Sequence, residues 1–223
     1  MKTVSIRYKQ IEISGNLTIP EKSTNIIIFA HGSGSTVTSY RNQLLAQALN
    51  NNGFSTLLFD LLTEGETKID RKAENLSVKI PGMILNKFNI KLLTQRLVAV
   101  TEWIQNSYYT KNLNIGYLGA STGAAATLYA AARFQTVKVL VSRSGRIDLV
   151  DKQTLSSIGC PCLFIVGDND KKVLDISKKA LNYLNNVKDR KIEVIKDTSH
   201  LFEGKIEQVG QSSIDWFKRF FPG

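Results

Sequence analysis

The pentapeptide Gly119-Ala120-Ser121-Thr122-Gly123 has residue types and spacing that could do chemistry. A serine in a G-x-S-x-G pattern has small neighbours, as a hydroxyl held at the tip of a sharp strand-to-helix turn requires. A serine hydroxyl is a weak nucleophile until a base takes its proton. The chain has two histidines, and His200, in Asp197-Thr198-Ser199-His200-Leu201, is the candidate base. The stretch Gly167-Asp168-Asn169-Asp170 offers two acids, Asp168 and Asp170, either of which could orient an imidazole and stabilise its charged form. A fourth stretch, His31-Gly32-Ser33-Gly34-Ser35, is a glycine-rich turn that could present a backbone N–H toward the serine. With the N–H of Thr122 it would form an oxyanion hole. Each piece alone has an ordinary reading: a loop serine, a surface histidine, a turn-capping aspartate, a plain turn. Their placement relative to the strands carries the argument.

The apolar pattern supplies those strands. Ile26–Ala30, Thr56–Asp60, Asn114–Leu118, Val137–Ser142, Cys162–Val166 and Lys191–Ile195 read as strands, and several are continuous apolar runs, as expected when both faces are buried. Helical periodicity marks Tyr40–Asn51, Ile90–Asn106, Ser121–Arg133, Leu174–Leu184 and Ile206–Phe220. An alternating hairpin precedes them, its tail at Gly15–Pro20. Strands alternating with helices predict a single α/β domain over residues 1–223, with a mostly parallel sheet covered on both faces. Ser121, the Gly167 loop, His200 and the His31 loop all follow strand carboxyl ends, where open parallel sheets place their sites. Residues 61–89 are polar, interrupted by Gly65, Pro81 and Gly82, and lack clean periodicity; they read as an excursion at one end of the sheet, a small lid.

Composition narrows the function classes. The 223 residues are 43% hydrophobic and 22% charged, an ordinary globular balance. No apolar run of signal-peptide or membrane-spanning length occurs, so a soluble, cytoplasmic protein is expected, with no membrane partner. The net charge of +10 is spread along the chain, without an aromatic-interleaved basic patch, so no nucleic-acid partner is expected. Cys160 and Cys162 flank Pro161 and read as small buried hydrophobes at a strand start. A metal site built from His31, His200, Cys160 and Cys162 is the rival reading, but the spacing is unlike that of a zinc finger, and no metal is expected.

Several stretches carry a resemblance: "FAHGSGS", "GFSTLLFDLLT", "LGASTGAAA", "VSRSGR", "LFIVGDND" and "SHLF", spread over most of the chain from about Phe29 to His200. With these the chain resembles an α/β-hydrolase and, within that fold, the dienelactone-hydrolase-like group. The resemblance implies Ser121 as nucleophile, His200 as base, and the N–H groups of Ser33 and Thr122 as oxyanion hole. Its G-x-x-D spacing from Gly167 selects Asp170 as the acid, and the path from the strand end toward His200 favours the same residue. It implies no cofactor. Dienelactone hydrolases themselves carry cysteine where this chain has Ser121, which shifts the expected activity from dienelactone to hydrolysis of a small carboxylic ester or thioester. The alternative is a non-catalytic binding or signalling protein on the same scaffold; the complete triad argues against it.

Arginines are the remaining substrate clue. Arg143 and Arg146 follow a strand on the same edge, and Arg41 lies near the HGSGS loop. They could pair with a substrate carboxylate, or form internal salt bridges with Asp60, Glu64 or Glu66.

Overall fold

In a computed structural model describing residues 1–75 and 84–221, the sheet has eight strands. The antiparallel hairpin of β1 (Lys2–Tyr8) and β2 (Ile11–Thr18) sits at one edge. Then come β3 (Asn25–Ala30), α1 (Tyr40–Asn51), β4 (Ser55–Phe59), α2 (Glu64–Asn75), α3 (Ile90–Asn106), β5 (Asn114–Ala120), α4 (Thr122–Arg133) and β6 (Val137–Arg143). The short α5 (Lys152–Ser157), β7 (Cys162–Gly167), α6 (Lys171–Leu181), β8 (Arg190–Ile195) and α7 (Ile206–Phe220) complete the chain. Strand order is β1-β2-β4-β3-β5-β6-β7-β8, and every pair from β4 to β8 is parallel. The expected architecture is the observed one.

The continuous apolar runs serve two cores. Ile26 and Ile28 face the layer of α3 and α4, while Ile27 and Phe29 face α1 and α7. Alternation in β6 does the same: Leu140 joins the first core, Val139 and Val141 the second. Arg143 continues the Val139–Val141 register, which aims its side chain into the α1 and α7 layer. The outer edge is thinner. In β8 only Ile195 is buried and Val194 is exposed.

The chain steps from β3 out to β4 and returns to β5 on the other side of β3. That reversal opens a crevice at the carboxyl ends of β3 and β5, a usual place for a ligand in such sheets. The loops after β3 and β5 are those of Ser33 and Ser121.

Residues 61–89 contain a helix that their periodicity does not announce. In α2 only Asp70 is buried, so no apolar stripe marks it. Tertiary hydrogen bonds hold its far end: Asp70 accepts from Asn86 N, Asn86 Nδ2 and Lys87 N at 2.8–2.9 Å. Arg96 of α3 reaches Glu66 at 2.7 Å. Pro81 and Gly82 lie outside the described residues. Residues 144–161, left unassigned by periodicity, hold a short 3-10 turn and α5.

Candidate active site

Ser121 sits at the junction of β5 and α4 with φ 50° and ψ −121°. A side chain other than glycine's is rare there, and the conformation persists only where surroundings enforce it. Three backbone bonds do so. Ser121 N donates to Arg143 O at 3.1 Å, and Ser121 O accepts from Ala124 N and Arg146 N at 3.1 and 3.0 Å. The helix crosses β3 so closely that a Cβ on Gly123 would fall 2.2 Å from Ala30 O, so only glycine fits. The Ser121 hydroxyl does not cap α4. It stands partly exposed at the start of a helix whose N-terminus favours negative charge.

His200 and Asp170 are brought together. His200 Nδ1 lies 2.6 Å from Asp170 Oδ2. A carboxylate accepts, so Nδ1 carries the proton and Nε2 presents its lone pair. Asp170 is largely buried and His200 partly exposed, with side-chain exposures of 14% and 38%. The loop after β8 must turn back across the end of β7 to deliver the imidazole. It does so at Gly167, where a Cβ would meet Thr198 O and Ser199 O at 2.5 Å. Asn169 N then donates to Thr198 O at 3.1 Å. No hydrogen bond joins Ser121 Oγ to His200 among the described residues, a common state of catalytic pairs without substrate.

Asp168 has a different occupation. Its carboxyl is held below the usual range, chiefly by the backbone N–H of Asp197, and it also accepts from Thr198 N at 3.2 Å. It ties the histidine loop to the end of β7, while Asp170 faces the imidazole.

Ser33 and Thr122 also meet. Ser33 N donates to Thr122 Oγ1 at 3.1 Å, so one expected oxyanion donor is occupied by the hydroxyl of the residue that carries the other. From this point a cleft of about 370 Å³ runs under α2, lined by Gly32–Thr36, Leu61 and Leu62 on one side and Thr67, Lys68 and Arg71 on the other. The excursion therefore borders the pocket. These α2 residues escaped the sequence reading because nothing in a polar helix marks the face that will line a cleft.

His31 is structural. Its Nε2 accepts from Leu61 N at 3.0 Å and its Nδ1 donates to Gly32 O at 3.0 Å. Burial pulls its pKa below the ordinary histidine value, and the acceptor role of Nε2 requires the neutral ring. Among the described residues no three His, Cys, Asp or Glu side chains gather in a metal-binding group. Cys160 and Cys162 are both buried free thiols, as a strand-start pair of small hydrophobes should be.

The acids that could have neutralised the arginines are otherwise engaged. Asp60 accepts from Val37 N at 2.7 Å, Glu64 pairs with Lys68, and Glu66 pairs with Arg96. Arg146 is paired within its own turn, to Asp148 at 2.8 Å. Arg143 is 8% exposed, and among the described residues no carboxylate lies within 4 Å of it. Among the described residues the one hydrogen bond of its guanidinium is Nη2 to Asn42 Oδ1 at 3.4 Å, and Nη1 is buried without a partner. Burial, then the nearby charge of Arg41, pulls its pKa down to about 10.

A parallel sheet flanked by helices, with a strained serine turn after β5 and an acid–histidine pair after β7 and β8, defines an α/β-hydrolase. The dienelactone hydrolase family model matches residues 13–215, and the chain belongs to that family. A dienelactone hydrolase structure from Anabaena variabilis is 39% identical, covers 99% of this chain and 98% of its own, and superposes with a TM-score of 0.89. The esterase Est1E from Butyrivibrio proteoclasticus, 15% identical over 97% of this chain and 98% of its own, shares the fold with a TM-score of 0.77. Two curated relatives, candidate phosphoribosyl transferases from Mycobacterium tuberculosis strains, are 41% identical over 210 residues. The chain spans 44% of their length, and that name belongs to the longer proteins. Among the described residues no helix is long and apolar enough to cross a membrane.

Proposed function

We propose that the protein is a serine hydrolase that cleaves a small carboxylic ester or thioester through an acyl-enzyme. The observation that carries this reading is the 2.6 Å bond from His200 to Asp170, made at the same sheet edge as the strained Ser121 turn. His200 Nε2 takes the Ser121 proton as Oγ attacks the carbonyl carbon, and the carbonyl π electrons move to oxygen. Asp170 stabilises the imidazolium. The tetrahedral oxyanion is held by Thr122 N–H at the start of α4 and by Ser33 N–H, which exchanges the Thr122 hydroxyl for the substrate oxygen. The intermediate collapses as His200 returns its proton to the leaving alcohol or thiol. Water, deprotonated by the same imidazole, then attacks the acyl-enzyme, and the carboxylic acid leaves as Ser121 regains its proton. The cleft under α2 takes one arm of the ester.

Intact-mass spectrometry after treatment with a fluorophosphonate tests the reading. One adduct is expected, on Ser121, and none in Ser121→Ala. An adduct on a different serine, or none on a folded protein that hydrolyses esters, would overturn it.

A further inference from the structure

Beside the nucleophile lies a corner with two guanidiniums that, among the described residues, form no salt bridge. Arg143 closes β6, and its carbonyl holds Ser121 N. Its guanidinium runs under the first turn of α1, where Nη2 meets Asn42 and the buried Nη1 meets nothing. Asn42 is itself buried and fixed: its Nδ2 donates to Ser35 Oγ at 3.2 Å and Thr36 O at 3.4 Å, which turns Oδ1 toward Arg143. The start of α1 is equally unserved. Ser39 makes no side-chain cap, no acidic residue lies in the first turn, and the N–H groups of Tyr40, Arg41 and Asn42 have no acceptor among the described residues. Arg41 adds a second guanidinium close enough to Arg143 to act on its charge. The carboxylate nearest in effect to Arg41 is Glu203, which is exposed and hydrogen-bonded to Ser199 Oγ at 2.8 Å.

A buried cation without a counter-ion is costly, and folds keep such a group where a ligand completes it. A helix N-terminus with free N–H groups suits an anion, and the Nη2 bond to Asn42 sets the Arg143 guanidinium beside the same turn. Two guanidiniums and three N–H groups ask for more than a carboxylate brings. A singly charged carboxylate has two oxygens and leaves most of these donors unserved. A phosphate monoester has three terminal oxygens and close to two negative charges at neutral pH.

Building on the proposed ester hydrolysis, we infer that the preferred substrate is a phosphorylated ester, its phosphate monoester seated between Arg41, Arg143 and the N-terminus of α1 while Ser121 attacks the acyl carbon. The phosphate is not cleaved; it positions the ester. The arm opposite the phosphate extends into the cleft under α2. The chain therefore acts downstream of a reaction class that acylates a phosphorylated alcohol, and returns that alcohol and a free acid.

Matched acetyl esters provide the test. 2-Acetoxyethyl phosphate, 3-acetoxypropionate and neutral 2-hydroxyethyl acetate are compared by kcat/KM. The expected preference for the phosphate ester over the neutral ester is roughly 10- to 100-fold, the scale of one or two charge-assisted hydrogen bonds. In Arg143→Gln and, independently, Arg41→Gln the ratio should collapse toward unity, with Arg143→Lys intermediate because it keeps charge without the fork. Inorganic phosphate, against sodium chloride at equal ionic strength, should raise the melting temperature of the wild type and not of Arg143→Gln. A wild type that treats all three esters alike, or that prefers 3-acetoxypropionate, overturns the phosphate assignment. So does a phosphate shift that survives in Arg143→Gln and Arg41→Gln. The hydrolase reading fails separately, by loss of fluorophosphonate labelling at Ser121, and leaves the phosphate shift to be measured on its own.

Discussion

Arg96 and Arg143 are buried to a similar degree, at 5% and 8% exposure, and their surroundings are opposite. Arg96 has a counter-ion. It bonds Glu66 at 2.7 Å and covers the Tyr8 ring at 5.3 Å, although its Nε is buried without a partner. It fastens the excursion to α3, as Asp70 fastens the far end of the same segment. Arg143 has one long bond to an amide and a charged arginine for a neighbour. A pair complete within the chain serves the fold. A buried charge left incomplete beside a strained serine serves a ligand, and folding bears the cost.

The contrast can be broken or sharpened in order of effect. The largest change belongs to the edge where both regions meet. Ser121→Ala should lower kcat by about 10⁴ or more with little change in melting temperature, because only a partly exposed hydroxyl is removed while the Cβ and the backbone strain stay as they are. Steady-state kinetics with thermal melting checks both halves, and an unchanged rate would sink the nucleophile assignment. Next comes the acid. Asp170→Asn presents a donor toward Nδ1 and should cost up to about 10⁴ in kcat, the scale of the same change in a serine protease. Asp168→Asn should leave kcat/KM within a few-fold and soften only the histidine loop, seen as faster amide exchange around Thr198. Reversed outcomes would move the triad acid to Asp168.

The two arginines then separate by sign. Glu66→Gln leaves Arg96 buried without its partner and should cost about 3 kcal/mol of stability in chemical denaturation. Arg143→Met should move stability the other way. Its guanidinium is charged in both folded and unfolded chains at neutral pH, and a pKa pulled down to about 10 marks a penalty on the order of 3 kcal/mol carried by the folded state. Removing the charge releases part of that penalty. If Arg143→Met and Glu66→Gln destabilise equally, the distinction drawn between the two arginines is wrong.

The smallest effect is at His31. Its folded pKa is depressed by burial, so protons bind the unfolded chain first as pH falls below about 6.5. Stability from this group is present above that pH and is lost below it. His31→Gln, which keeps an acceptor for Leu61 N, should flatten the fall in melting temperature between pH 7 and pH 5. An unchanged slope would mean that the fold does not depress the pKa of the ring.

What was legible in the sequence divides along the same line. The strand runs, the hairpin and α1, α3, α4 and α7 were plain because apolar spacing reports burial directly. Ser121 and His200 stood out as candidates because of the turns they sit in, whereas Asp170 was singled out from Asp168 by the G-x-x-D spacing of the resemblance and the path of the loop toward His200. The α2 helix was hidden, since it buries one aspartate and is held by polar tertiary contacts that leave no periodic trace. The isolation of Arg143 was hidden for a related reason. A sequence shows that Asp60, Glu64 and Glu66 are near in number, but it does not show that each is already engaged elsewhere. Asn42, reading as an ordinary helix residue, gave no signal of the corner it shapes.

The thin outer strand has a consequence for how activity fails. His200 hangs from the end of β8, an edge strand with a single buried residue, while Ser121 hangs from β5 in the centre of the sheet. Opening of an edge strand requires breaking one ladder and little packing, so it costs less than opening the whole domain. Opening of this edge would carry the imidazole away from Asp170 while the core stays packed. Mild denaturant or warming will switch off turnover while the circular dichroism of the central sheet is still native, and the switch will reverse on cooling as readily as a strand re-zips.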